Sequence, residues 1–336
     1  MILFNMTLVS VLMPIRGACP YIKDAINTVL MQTHTDWELI ICKDMVPQEI
    51  DDFLNVLVSR DDRIRIVSTL NTNLPAALNM GLEICSGNFV ARFDSDDLMR
   101  EYRLQFQLEF MLKNPDHVAV GGQIFKVDKL GEMHSTQSYY DRRNGPLKKN
   151  IYLKCPFAHP NVMIKRDSLL GVGGYDQNFR FAEDYELWLR LASRGKFANL
   201  SLITTHYRTY SEQVSSVNRE LTLVNMVRAF LNFERLLPAE SDLWGSVLTA
   251  RDLLDLVRNL PINAREIFDQ KFGIAIVESF TDTNGTQMIR KLRKLSDKAF
   301  LLRFIKTIYS RLYSIIYAQV SLKRYNSRLS SYNSSL

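Results

Sequence analysis

Regular alternation between two hydrophobic periodicities in the first hundred residues constrains the fold more than any other feature of the sequence. Short apolar runs typical of buried strands, such as residues 8–14 and 37–42, are each followed by a segment with the spacing of an amphipathic helix. Strands and helices that alternate in this way pair in parallel, with helices on the faces of the sheet. The pattern predicts an α/β fold with a mostly parallel sheet flanked by helices.

Polar residues stand at the carboxyl ends of these predicted strands. Three positions fall there, namely residues 14–17, Asp44, and residues 94–97. Ligands of open α/β sheets bind in the crevice beyond the carboxyl ends of the strands. The alternation therefore also predicts where a ligand binds.

A run of strand-forming residues is directly followed by three aspartates, Asp94, Asp96 and Asp97. Carboxylates this close repel one another, so either their pKa values rise or a cation compensates their charge. A divalent ion such as Mg²⁺ or Mn²⁺, shared with a substrate diphosphate, suits such oxygen ligands. The alternative is that Asp96 or Asp97 caps a following helix, and the stretch alone favours neither interpretation.

Two other acidic motifs can be compared with this cluster. A calcium loop of the EF-hand type that began at Asp94 would need glycine and glutamate where the chain has Met99 and Gln105. A phosphohydrolase would use Asp94 as its nucleophile and Asp96 as its acid/base. That interpretation leaves the upstream strand and helix units without a role, but it stays open as an alternative.

The composition is that of an ordinary globular protein, with 46% hydrophobic and 23% charged residues. The apolar N-terminal residues lack the basic residue and cleavage pattern of a signal peptide, and no apolar run reaches the ~18 residues needed to span a membrane. The four cysteines are scattered without metal-ligand spacing. We therefore expect reduced thiols and a cytoplasmic location.

From about Glu220 the pattern becomes almost wholly helical, which predicts a catalytic domain at residues 1–218 and a helical C-terminal region at 219–336. Residues 286–336 contain eleven lysines and arginines but one acid, a net charge of +10. Their basic amphipathic pattern predicts association with an anionic membrane surface, and packing on the catalytic domain or a partner subunit is the alternative. No nucleic-acid-binding motif accompanies this charge, so nucleic acid is not an expected partner.

Several segments, in order, resemble the inverting family 2 glycosyltransferases, which have the GT-A nucleotide-diphospho-sugar fold. Residues 9–44 are similar to the opening nucleotide-binding unit, and residues 71–97 to the segment that leads into a metal-binding Asp-x-Asp motif. Residues 159–196 look like the acceptor-side segment with its Glu-Asp pair, and residues 206–215 like the Tyr-Arg stretch that closes the domain. The resemblance covers residues 8–216.

The resemblance implies roles for the residues that match the family's motifs. Asp44 matches the second acid of a turn that contacts the nucleotide base. Asp94 and Asp96 match the motif that binds diphosphate and a divalent metal, Mn²⁺ or Mg²⁺. Asp184 matches the catalytic base. The other implied contacts to the nucleotide donor are Pro14, Arg16 and Ser95.

Some positions depart from the family's pattern. Arg16 and Gly17 stand where an aromatic residue and an asparagine are common, and Lys43 replaces the first acid of the turn. Residues 45–46 are Met-Val in place of Gly-Ser. Tyr210 stands where many members have a histidine, which puts a third metal ligand there in doubt. These changes affect base recognition and leave the diphosphate and catalytic positions intact.

Six residues are weaker candidates, and most have a structural alternative. Trp188 lies one helical turn after Asp184, so it could stack on an acceptor sugar or pack in the core. His159 could line the acceptor site or occupy a turn. Arg103 and Arg208 could contact phosphates or form surface ion pairs. The remaining two are Asp97, which stands beside the implied metal ligands, and Glu183, which stands beside the implied base.

The resemblance implies transfer of one sugar, with inversion, from a nucleotide donor such as a UDP-sugar. The expected acceptor is an undecaprenyl-type lipid-linked glycan in the assembly of O-antigen or capsule, and the expected location is the inner face of the cytoplasmic membrane. The altered turn at residues 43–46 leaves a non-catalytic membrane scaffold with the same fold as an alternative.

Overall fold

A computed structural model describes residues 7–70, 73–138, 155–210 and 218–233. Within these ranges nine strands form one sheet, accompanied by seven α-helices and a short 3-10 helix at His159–Asn161. The strands are β1 Val9–Arg16, β2 Trp37–Asp44, β3 Ile64–Thr69, β4 Phe89–Arg92, β5 Leu98–Met99, β6 His117–Val127, β7 Met133–Ser138, β8 Met163–Lys165 and β9 Lys196–Arg208. The helices are α1 Ile22–Leu30, α2 Gln48–Val58, α3 Leu74–Ile84, α4 Arg103–Lys113, α5 Arg166–Gly171, α6 Glu183–Leu191 and α7 Arg219–Phe233.

The first four strands form the parallel half of the sheet. Strand β1 pairs in parallel with β2 on one side and β4 on the other, and β2 pairs in parallel with β3. Consecutive strands are joined through α1, α2 and α3, as the alternating periodicities predict. The carboxyl ends of β1, β2 and β4 consequently meet at one edge.

The second half of the sheet is mixed. Strand β8 pairs antiparallel with β4, and the order continues through β6 and β9 to β5. Strands β6 and β9 are parallel, whereas β7 pairs antiparallel with β6, and β5 with β9. The predicted α/β class with helices flanking the sheet is confirmed, and β4 is the strand at which parallel pairing gives way to mixed pairing.

Apolar residues from both faces of the sheet form the core. On one face, Val9, Val11 and Met13 of β1 pack with the buried side of α1. That side consists of Ile22, Ala25, Ile26 and Val29, the four residues that the helical spacing predicts. On the other face, α3 approaches β1 and β2 closely through Gly81.

Helix α7 packs against α6 and the loop before it. The Nδ2 atom of Asn225 donates a hydrogen bond to the Arg180 carbonyl at 2.7 Å, and Nη1 of Arg228 donates to the Asn178 carbonyl at 3.1 Å. The boundary at residues 218/219 stays a prediction. The predicted basic helix within residues 286–336 lies outside the described ranges, and none of the helices within them is long and apolar enough to cross a membrane.

Candidate active site

The acidic cluster lies in the loop that follows β4. One carboxylate oxygen from each of Asp94, Asp96 and Asp97 lies within 4.8 Å of the others. The parallel half of the sheet ends at this edge, so the cluster occupies the predicted ligand-binding position. A chain turn in which the Asp97 amide approaches the Asp94 carbonyl at 3.4 Å helps to bring the carboxylates together.

The contacts of the cluster leave carboxylate oxygens that could bind a cation. Oδ2 of Asp96 accepts a hydrogen bond from the Tyr210 hydroxyl at 2.7 Å, and Oδ1 of Asp97 accepts one from the Arg208 amide at 2.8 Å. Oδ2 of Asp97 is buried and has no hydrogen-bond partner among the described residues. Burial and the nearby Asp94 charge raise the pKa of Asp96, and raise that of Asp97 further. Clustered oxygen ligands with an unsatisfied acceptor fit a divalent ion such as Mn²⁺ or Mg²⁺.

Asp97 does not cap a helix, as one sequence interpretation held. Leu98 and Met99, which follow it, form strand β5 and pair with β9, and the next helix begins at Arg103. The side chain of Asp97 instead fixes the end of β9 through the Arg208 amide. Whether a helix or a strand follows Asp97 depends on pairing between segments distant in the chain, which the local sequence does not show.

Arg208 holds the backbone around the cluster. Its Nε donates to the Asp96 carbonyl at 2.7 Å, and its Nη1 donates to the Lys129 carbonyl at 2.7 Å. The guanidinium also lies over the Tyr21 ring, 4.1 Å from its centre. Because Arg208 is buried, the surface ion pair considered for it is wrong, and the described contacts join the aspartate loop to neighbouring loops.

A buried cation lies next to the cluster. Arg92, the last residue of β4, has Nη1 2.5 Å from Oδ1 of Asp94. Burial opposes the charge of the guanidinium, but the neighbouring Asp94 carboxylate raises the pKa of Arg92, so it stays protonated. The same positive charge acts on Glu183 and Asp184 at the start of α6, and it partly offsets the effect of their burial. Arg92 therefore connects the electrostatics of the two acidic groups.

The predicted nucleotide contacts lie at the ends of β1 and β2. Nε of Arg16 is 3.5 Å from Oδ2 of Asp44, and the Gly17 amide donates to the Asp44 carbonyl at 3.0 Å. Pro14 is in β1 and pairs with Cys42 of β2. Ser95 lies inside the aspartate motif, and its carbonyl accepts a hydrogen bond from the Cys19 thiol at 3.4 Å.

Glu183 and Asp184 form the first turn of α6. Oδ1 of Asp184 accepts a hydrogen bond from the Tyr185 amide at 2.7 Å, while Oδ2 lies 3.8 Å from the thiol of Cys155. Burial raises the pKa of Asp184. Burial and the Asp184 charge raise the pKa of Glu183 to about 7. A partly buried carboxyl group with a raised pKa is suited to accept a proton at neutral pH.

Aromatic residues pack beneath this pair. Trp188 is 0% exposed and meets Phe157 edge-on, with ring centres 5.1 Å apart. Stacking of Trp188 on an acceptor sugar is therefore wrong, and the core alternative is correct. His159 is also buried, and its Nε2 lies 3.0 Å from the Tyr175 hydroxyl. Burial lowers the pKa of His159 well below its ordinary value, so the ring is neutral.

Arg103 serves the fold rather than a phosphate or a surface ion pair. It is 0% exposed, its Nη1 donates to the Pro160 carbonyl at 2.7 Å, and its Nη2 donates to the Arg92 carbonyl at 2.8 Å. Its Nε donates to Oε1 of Gln107 at 3.1 Å. These bonds join α4 to β4 and to the 3-10 helix, so both interpretations of Arg103 from the sequence are wrong.

The sequence reasoning missed three features of the site. Arg92 could have been found, because it is a charge inside an otherwise apolar strand, which requires a buried partner. The contact of Cys155 with Asp184 and the bond from Tyr210 to Asp96 have no local signal. Each joins segments distant in the chain.

The comparisons with known proteins agree with this architecture. Residues 10–172 match the profile of the family described as Glycosyl transferase family 2. The chain is 32% identical over 214 residues to the O-antigen biosynthesis glycosyltransferase WbnJ of Escherichia coli, which covers 61% of this chain and 81% of that protein. It is 30% identical over 195 residues to an uncharacterized glycosyltransferase of Rickettsia felis, covering 58% of this chain and 32% of that protein.

The solved structure of S. aureus TarS 1–349 in complex with UDP-GlcNAc has a TM-score of 0.53 and 14% sequence identity, and the likeness covers 82% of this chain and 81% of that chain. Identity at this level concerns the fold alone. The α/β sheet with its acidic loop after β4 has the fold of the GT-A class. By its sequence, the chain belongs to glycosyl transferase family 2, and this membership replaces the phosphohydrolase interpretation of Asp94.

Proposed function

We propose that this protein transfers one sugar, with inversion, from a UDP-sugar to an acceptor hydroxyl, and that the transfer depends on a divalent metal. The main support for this proposal is the cluster of three carboxylates after β4. It lies beside buried Arg92, whose charge also acts on Asp184. The complex of TarS with UDP-GlcNAc supports the choice of donor class.

On the donor side, Asp96 and Asp94 would hold Mn²⁺ or Mg²⁺, with Asp97 beside them. Such an ion, when bound, neutralises the charge that develops on the departing nucleoside diphosphate. Asp44 would contact the nucleotide base, because it ends β2 at the same edge of the sheet. Pro14, Arg16 and Ser95 complete this proposed donor site.

On the acceptor side, Asp184 would act as the base. Its carboxylate takes the proton of the acceptor hydroxyl while the hydroxyl oxygen forms a bond to the anomeric carbon and the bond to the diphosphate breaks. The attack comes from the face opposite the leaving group, so the configuration inverts without a covalent enzyme intermediate. The raised pKa of Asp184, caused by its burial, suits this proton transfer.

The acceptor in this proposal is an undecaprenyl-type lipid-linked glycan of a bacterial surface polysaccharide. The O-antigen function in the name of WbnJ supports that class. The basic residues 286–336 support a peripheral position on the inner face of the cytoplasmic membrane, because lysine and arginine are attracted to anionic lipid headgroups.

Isothermal titration with UDP and Mn²⁺ tests the metal site. We expect the wild type to bind UDP more tightly with Mn²⁺ than without it, and Asp96→Ala to lose most of that gain, because the variant removes a metal ligand. Asp62→Ala, which changes an exposed aspartate outside the cluster, serves as the control. Equal binding by the wild type and Asp96→Ala, with and without Mn²⁺, would contradict the metal site, and binding of no UDP-sugar would favour the scaffold alternative.

Substitution of the base separates binding from chemistry. Asp184→Asn should keep UDP affinity within about twofold and slow sugar transfer by about 10²–10⁴-fold, because general-base catalysis typically contributes that factor. Asp167→Asn, in the exposed first turn of α5, is the matched control. Normal turnover by Asp184→Asn would remove this residue from the proposed role.

A further inference from the structure

Two buried arginines near the site differ in how their N–H groups are used. Arg103 directs Nε and both terminal nitrogens at protein oxygens. Arg92 is 3% exposed, and its Nε has no hydrogen-bond acceptor among the described residues. Its Nη1 lies 2.5 Å from Oδ1 of Asp94, in the ion pair described above. A buried N–H group without an acceptor lowers the stability of the fold, unless another molecule supplies that acceptor.

The position of Arg92 indicates which part of a bound donor would supply this acceptor. Side chains two positions apart on an extended chain share a face, so Arg92 projects toward the same side as Asp94. Tyr175, Glu183 and Asp184 are within the electrostatic influence of its charge. The proposed reaction requires the sugar to lie between the diphosphate, near Asp94, and the base Asp184. Arg92 therefore borders the space of the transferred sugar.

A buried atom beside the proposed base also has no hydrogen-bond partner among the described residues, namely Oε2 of Glu183. Together with Nε of Arg92 it offers one acceptor and one donor, which suits hydroxyl groups, because a hydroxyl can both donate and accept. A sugar carboxylate fits less well, since the single positive charge of Arg92 is outnumbered by nearby carboxyl groups.

We propose that Arg92 donates a hydrogen bond to a ring hydroxyl of the transferred sugar and thereby selects uncharged, hydroxylated sugar donors. This inference rests on the proposed function and extends it from the nucleotide to the sugar.

Titration calorimetry in the presence of Mn²⁺ tests the proposal with UDP, UDP-glucose, UDP-galactose, UDP-GlcNAc and UDP-glucuronic acid. The measured quantity is the affinity for each UDP-sugar divided by the affinity for UDP in the same variant, so that effects on the shared nucleotide cancel. Arg92→Met should lower this ratio about tenfold to a hundredfold for the best neutral donor, the loss typical of one hydrogen bond to a charged group. Arg103→Lys, at a buried arginine with satisfied N–H groups, should leave it within about twofold.

Arg92→Lys keeps a positive charge beside Asp94 and guards against a folding defect in Arg92→Met. It should lower the same ratio, because lysine has no N–H group at the Nε position. An unchanged ratio in folded Arg92→Met and Arg92→Lys overturns the inference alone. Tighter binding of UDP-glucuronic acid than of every neutral donor by the wild type also overturns it.

A second measurement needs only the wild type. The best neutral donor is compared with analogues that lack one ring hydroxyl each, and deletion of one hydroxyl should weaken binding about tenfold or more. If no deletion weakens binding by more than about twofold, the inference is wrong. Failure of the wild type to bind UDP or any UDP-sugar would instead overturn the proposed function, and this inference with it.

Discussion

Glu183 and Asp184 are adjacent carboxyl groups, of which Glu183 is buried and Asp184 is partly buried, and two opposing effects act on their charge. The N-terminus of α6 favours negative charge through the helix dipole. Burial disfavours it, and the repulsion between the two groups adds to that effect. Burial is the larger effect, since the pKa of each group is raised. One proton is therefore held easily by the pair near neutral pH, which suits the proposed role of Asp184 as a base.

This pair makes the stability of the fold depend on pH. With a pKa of about 7, folded Glu183 retains its proton between pH 4.5 and 7, where the unfolded chain has released it. Unfolding then releases a proton, so the free energy of unfolding falls as pH rises through this window. Glu183→Gln should remove this contribution, on the order of 3 kcal/mol across the window.

Urea unfolding of the wild type and Glu183→Gln at several pH values from 4.5 to 7.5 measures the difference. Glu83→Gln changes an exposed glutamate in α3 and should follow the wild type. Parallel curves for the wild type and Glu183→Gln would show that Glu183 ionises in the folded chain as it does in the unfolded one.

The sequence predicted the positions of Asp44 and Asp94 in the fold, because strand ends determine them. Asp44 and Asp94 lie at one edge of the sheet because parallel strands bring their carboxyl ends together, and the periodicity reveals those strands. The roles of Trp188 and Arg103 were harder to predict, since a residue at a binding surface and a residue in the core can have the same helical spacing. What decides between these roles is burial by distant segments, such as the loop that carries Phe157.

Helix α3 packs closely on the sheet at one glycine, Gly81. A Cβ atom at Gly81 would lie 2.3 Å from Sγ of Cys42 and 2.5 Å from Cδ1 of Leu12, so no larger residue fits unless these buried side chains shift. Gly81→Ala should lower the free energy of unfolding by about 1–3 kcal/mol through overpacking. Circular dichroism during chemical unfolding measures the change.

Gly171 provides the matched control, because a Cβ there would meet its nearest atoms at 3.8 Å, an ordinary contact. Gly171→Ala, at the end of α5, should therefore have little effect or stabilise slightly, as alanine favours the helix. Similar losses in both variants would show that close packing at Gly81 is not the cause.

The sequence revealed individual elements more readily than their pairing. The four parallel strands and three joining helices follow from periodicity, but β5 was missed, and the insertion of β8 between β4 and β6 was not predicted. Both are short strands of two and three residues, too short to show a period. Their pairing depends on segments that lie far apart in the chain.

Across the whole molecule, positive charge is concentrated in residues 286–336, whereas the preceding part contains 31 basic and 35 acidic residues. Replacing Arg303, Lys306 and Arg324 by glutamine in the full chain should reduce binding to anionic phospholipid vesicles. Each basic residue near such a surface contributes about 1 kcal/mol, so we expect the bound fraction in a flotation assay to fall sharply.

The control variant replaces three exposed basic residues of the catalytic region, Arg60, Lys113 and Lys129, by glutamine. It removes the same charge, and it should bind anionic vesicles like the wild type. Equal losses in the two variants would indicate a net-charge effect, and no loss in the first would favour packing of the basic segment on protein.

Strand β4 has a consequence for how this architecture can diversify. It joins the parallel half of the sheet, which carries the proposed nucleotide contacts, to the mixed half, which lies on the proposed acceptor side, through main-chain bonds to β1 on one side and β8 on the other. Main-chain pairing tolerates changes in most side chains, so the acceptor half can accumulate substitutions while the join persists. Exchange of acceptor halves between related enzymes at this strand should therefore give chimaeras that keep their donor and change the product they make.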